Sequence, residues 1–122
     1  MIKSILGVAF DCLNANDLAD FYVKLTGWNK EISSDEWAGL RTPAGMLLVF
    51  QTVENYVPPV WPWKNGEQQQ MAHIDFFVDN LEDAVALALG NGAKKSEIQY
   101  FDDSTVMFDP AGHPFCLSTH VD

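Results

Sequence analysis

His73 and Asp75 stand two residues apart in an apolar stretch, a spacing that turns both side chains to one face of an extended strand. A carboxylate beside an imidazole can orient the ring or share its proton in acid–base chemistry. The same pair can also do no more than hydrogen-bond within a wall of side chains. Cys116 is a third candidate. A thiol turns nucleophilic only as the thiolate, beside a cation or a helix N-terminus, and otherwise packs as a small hydrophobe. Cys12 reads as core, His113 as a residue of a turn, and His120 as part of a fraying end. Paired carboxylates at a hydrolytic spacing, phosphate loops and nucleophile elbows are absent from the sequence.

Aromatic residues supply the second signal. Trp37, Phe50, Trp61, Trp63, Tyr100 and Phe115 fall on expected strands or loops that would border a cleft. Flat organic molecules are held by such rings together with a few polar groups. For each ring alone, burial in the core or in a subunit interface is the competing reading. Trp61-Pro62-Trp63 is different, because two indoles in a proline-stiffened segment must cover something, either a cleft or a partner. The expected ligand-binding set is therefore Phe50, Gln51, Trp61, Trp63, His73, Asp75, Tyr100 and Cys116, with His73 and Asp75 as the catalytic candidates.

The elements that carry these residues repeat. Thr42-Pro43-Ala44-Gly45 and Asp109-Pro110-Ala111-Gly112 are two versions of one turn, 67 positions apart, each leading into an apolar run. Asn14-Ala15-Asn16-Asp17 and Asn80-Leu81-Glu82-Asp83 open two amphipathic stretches 66 positions apart. In each, the Asn can accept from a free amide of the first helical turn while the Asp favours the positive end of the dipole. Leu18, Phe21, Tyr22 and Leu25 form one helical stripe, ended by Gly27. Leu81, Ala84, Val85, Ala88 and Leu89 form the other, closed by Gly90-Asn91-Gly92. Strands are expected over 2–13, 28–33, 36–42 and 46–53, and again over 71–78, 94–101, 103–108 and 113–119. The reading is a single α+β domain over 1–122, with two βαβββ modules at about 1–53 and 71–122 and a linker at 54–70 whose Pro-rich part is extended. Two halves burying their apolar faces together would share a cleft, the expected site.

With 17 acidic and 7 basic residues the formal charge is −10, which argues against nucleic acid and anionic membranes as partners. No apolar run approaches the roughly 20 residues of a membrane helix, and no secretion signal opens the chain. Two cysteines without an export signal read as reduced thiols, so a cytoplasmic protein is expected.

The tandem βαβββ order resembles the vicinal oxygen chelate superfamily of glyoxalases, bleomycin resistance proteins and dioxygenases. Asp20-Phe21-Tyr22 with Gly27-Trp28, His73-Ile74-Asp75, and Asp109-Pro110-Ala111-Gly112-His113-Pro114-Phe115 carry the likeness, and Trp61-Pro62 is similar to its glyoxalase-like subgroup. The resemblance implies four metal-ligand positions, which here read Gly7, Val49, His73 and Cys116. Glycine and valine offer no donor, so no metal and no cofactor are expected. A divalent ion aided by Gln51 or Glu54 would need a shifted register and is the alternative. The resemblance implies a resistance-type or sequestering binder of a small, largely apolar or aromatic molecule, working as a homodimer. The alternative is a lyase, isomerase or dioxygenase-like enzyme on a small oxygenated substrate, with His73 as acid, base or metal ligand.

Overall fold

The computed structural model describes residues 1–120. The chain forms two compact units, Met1–Tyr56 and a second that begins at Val57, so 57–70 goes with the second. The first contains β1 (Gly7–Cys12), α1 (Ala15–Thr26), β2 (Lys30–Ser33), β3 (Trp37–Arg41) and β4 (Leu47–Thr52). The second contains β5 (Ile74–Phe77), α2 (Leu81–Gly90), β6 (Lys94–Lys95), β7 (Ser104–Phe108) and β8 (Pro114–Ser118). Both sheets have the same plan, β1-β4-β3-β2 and β5-β8-β7-β6. In each, the first strand pairs parallel with the last, and the remaining pairs are antiparallel.

The repeated motifs become repeated local structure. Asn14 Oδ1 accepts from the Asp17 amide at 3.0 Å, and Asn80 Oδ1 from the Asp83 amide at 2.9 Å. Each cap satisfies one of the free amides of a helix start. In the turns, the amide of Gly45 donates to Thr42 O at 2.9 Å and that of Gly112 to Asp109 O at 2.8 Å. Both glycines hold left-handed backbones, φ 95° and 90°, which explains glycine at the fourth place of each motif.

Strand alternation sorts the side chains. In the first unit Leu40, Leu48 and Phe50 are buried with Leu18, Phe21 and Tyr22 of α1, and Phe50 stacks on Tyr22 with centroids 5.1 Å apart. In the second unit Met107, Phe115 and Leu117 form the buried face with Ala88 of α2. Phe76 meets Phe115 edge to face at 6.0 Å.

All the expected strands are shorter, the one over 71–78 covering only Ile74–Phe77 so that His73 stands just before it, and two others change most. The first begins at Gly7, not Ile2. The strand expected over 94–101 covers only Lys94 and Lys95. Gln99 explains the second difference. Its Nε2 donates to Ser96 O and Val106 O, while its Oε1 accepts from the Val106 amide at 2.8 Å. The Ser96 amide still donates to Val106 O at 3.0 Å, and beyond it a side-chain amide completes the edge of β7, leaving the backbone of 97–101 to form a loop.

Candidate functional site

β5, β8 and β7 lie side by side, and period-two alternation decides what the face away from the core presents. Asp75 is paired with Cys116, Cys116 with Val106, and Ser118 with Ser104. These side chains floor a cavity of about 580 Å³, whose walls include His73, Pro114, Trp61 and Gln70. The loop freed by Gln99 adds Tyr100, Phe101 and Asp103, and His120 completes the lining. That volume falls within the usual range for small-molecule sites. Every lining residue belongs to the second unit, whereas the duplicated pattern led to the expectation of a cleft shared by both halves.

Three polar side chains meet on the floor. His73 Nε2 lies 3.1 Å from Asp75 Oδ1. A carboxylate only accepts, so this bond places the ring proton on Nε2 and leaves Nδ1 as the basic nitrogen of a neutral ring. On the other side, burial and then the hydrogen bond and charge of Asp75 push the Cys116 thiol from an ordinary 9.0 up to about 11. Such a thiol stays protonated near neutrality and is a poor nucleophile. Asp75 is thus the shared acceptor of an imidazole and a thiol. The arrangement can orient a polar group of a ligand or move a proton.

Trp61 and Tyr100 meet edge to face with centroids 6.4 Å apart. Tyr100 and Phe101 are 52% and 71% exposed, so apolar ring surface borders the cavity. A flat molecule laid against these rings would remove that surface from water.

Five expected ligand residues line the cavity: Trp61, His73, Asp75, Tyr100 and Cys116. Phe50 is corrected to a core residue. It is 1% exposed because alternation places it on the helix-covered face of β4. Gln51 belongs to the first unit and donates through Nε2 to Asp11 Oδ1. Trp63 does not line the cavity, and its Nε1 donates to Glu67 O at 2.7 Å, bracing the loop. Sequence reasoning missed Phe101, Asp103 and His120. Register could have found Ser104, Val106 and Ser118, which share the face of Cys116.

The four ligand positions implied by resemblance do not fit a four-coordinate metal. Gly7 and Val49 carry no donor, and a Cβ added at Gly7 would lie 2.6 Å from Leu47 O. Among the described residues, His73, Asp75 and Cys116 bring one donor atom each within 4.8 Å of one another. An ion there would have to expel the proton of a thiol pushed up to about 11.

The sequence over residues 7–118 matches a family model described as a glyoxalase-like domain. No curated protein matches the sequence significantly. Three solved structures show the breadth of the fold. A glyoxalase/bleomycin resistance protein/dioxygenase family enzyme from Burkholderia phytofirmans PsJN has TM-score 0.72 at 16% identity, over 94% of this chain and 97% of that one. A glyoxalase family protein from Enterococcus faecalis has TM-score 0.69 at 22% identity, over 95% and 97%. A genomically encoded fosfomycin resistance protein from Listeria monocytogenes has TM-score 0.73 at 12% identity, over 99% and 96%. The likeness is one of fold, the vicinal oxygen chelate arrangement of two βαβββ modules. No helix among the described residues is long and apolar enough to cross a membrane.

Proposed function

Because the chain belongs to the glyoxalase-like domain family, we propose that it binds a small, flat, largely apolar molecule in the cavity of its second unit, without a metal. The reading is carried by one observation: Trp61, Tyr100 and Phe101 border a cavity whose floor holds the His73–Asp75–Cys116 group. The rings supply contact area and the polar trio orients the ligand. A protonated Cys116 and donor-free Gly7 and Val49 support capture over metal-assisted turnover. Resistance-type sequestration is the role this implies, and a resistance protein stands among the structural neighbours.

Intrinsic tryptophan fluorescence, titrated with aromatic compounds in the presence of a chelator, tests the proposal. Saturable quenching that is lost in Trp61→Ala is expected. Silence across a broad panel would refute it.

One observation favours an enzyme as the second reading. The 3.1 Å bond between His73 and Asp75 is the geometry of an oriented base. Proton exchange at a carbon next to a carbonyl, followed in deuterated buffer and abolished in His73→Ala, separates that reading from simple capture. Pairing of two copies belongs to the same proposal. Exposed Ile5, Leu6, Val8 and Trp37 of the first unit support it, and sedimentation equilibrium tests it.

A further inference from the structure

We infer that the ligand of this cavity carries a positive charge, an amine or quaternary ammonium group on its flat apolar body. The inference rests on the proposed capture of a flat molecule and adds the sign of its charge.

Among the described residues, six titratable side chains line the cavity: Asp75, Asp103, His73, His120, Tyr100 and Cys116. The seven basic residues, Lys3, Lys24, Lys30, Arg41, Lys64, Lys94 and Lys95, all lie outside the lining. With both imidazoles neutral, the two carboxylates give the lining a formal charge of −2; with both protonated it is zero. While its two carboxylates stay ionised it does not become positive. An anionic ligand would exchange its hydration for a neutral or repulsive surface, which is costly.

A cation meets two kinds of favourable surface. Asp75 and Asp103 are each held by a neighbouring imidazole, at 3.1 Å from His73 and 3.6 Å from His120. Each of these contacts engages a single carboxylate oxygen, Oδ1 of Asp75 and Oδ2 of Asp103, and Asp75 also accepts from the Cys116 thiol. Trp61, Tyr100 and Phe101 add aromatic rings to the lining, and ammonium groups are drawn to the faces of such rings. The chain's formal charge of −10 draws cations toward the whole surface as well.

Three probes sharing a naphthalene body provide the test by calorimetric titration: a naphthylmethyl-trimethylammonium, the neutral naphthylmethanol and a naphthalenesulfonate. The cation is expected to bind about tenfold tighter than the alcohol, and the sulfonate weakest of all. The cation-to-alcohol ratio should fall at least about threefold in Asp103→Asn and in Asp75→Asn. Glu82→Gln, on the first turn of α2, should leave that ratio in place. Binding of the alcohol or sulfonate as tightly as the cation overturns the inference while preserving capture. So does a ratio unchanged in both aspartate variants. Failure of all three probes to bind removes capture itself, and the inference with it.

Discussion

Replacing Asp75 by Asn should make Cys116 more reactive, not less. In the native protein the thiol is pushed up to about 11 from 9.0, first by burial, then by the hydrogen bond and the negative charge of Asp75. At pH 7.5 a thiol at 9.0 is roughly 3% ionised, whereas one at 11 is roughly 0.03% ionised, about a hundredfold less. Asn removes the charge and the strong acceptor but leaves the larger contribution, burial. The midpoint should therefore fall to between 9.0 and about 11, and alkylation at pH 7.5 should accelerate roughly threefold to tenfold. The assay is pseudo-first-order carbamidomethylation, read at each cysteine by peptide mass spectrometry. Cys12, fully buried with its Sγ donating to Gln51 O at 3.4 Å, serves as the internal slow reference. A native midpoint near 9, or equal rates in the native protein and Asp75→Asn, would refute the coupling of the two side chains.

The other expectations concern placement and stability. Trp61→Ala should weaken capture of an aromatic probe about tenfold, whereas Trp63→Ala, outside the lining, should change it less than about twofold, as calorimetry would show. Gly112→Ala should cost about 1–2 kcal/mol for a left-handed backbone. It should cost more than Gly27→Ala, because its Cβ would also press on Pro58 Cβ at 3.1 Å while the Cβ at Gly27 meets open space; urea unfolding measures both. The Cys116 thiol also links stability to alkaline pH. The folded protein keeps this proton to about 11 and the unfolded chain releases it near 9.0, so the contribution is complete below pH 9 and is lost as pH climbs toward 11. Relative to Cys116→Ser, that loss should be roughly 1 kcal/mol or less once solvent screening is allowed for. Equal slopes for the two proteins over that window would contradict the raised thiol.

The fold was legible because its signals are local and repeated. Asn14 and Asn80, Gly45 and Gly112 announce the same caps and turns twice, and the two sheets share one strand order. His73 and Asp75 were legible as a pair from their spacing, and Cys116 entered through the ligand positions that the resemblance implies. Phe50 was misplaced because an apolar strand such as Leu47–Thr52 does not state which of its faces a helix will cover. Phe101, Asp103 and His120 were hidden for another reason. The loop that carries Phe101 depends on Gln99 standing in for a strand edge, a side-chain contact with Val106 seven residues on that no periodicity records. His120 joins through its 3.6 Å approach to Asp103. The acidic signature of the site was therefore invisible until the loop had a place.

The central claim is capture by the second unit without a metal, and it is tested most directly by one titration done twice. A calorimetric Kd for a naphthalene probe should be measured on protein stripped with a chelator and again in saturating zinc. Equal affinities, both weakened in Trp61→Ala, are predicted. Binding that appears only with zinc, or that survives unchanged without the Trp61 indole, would contradict the account.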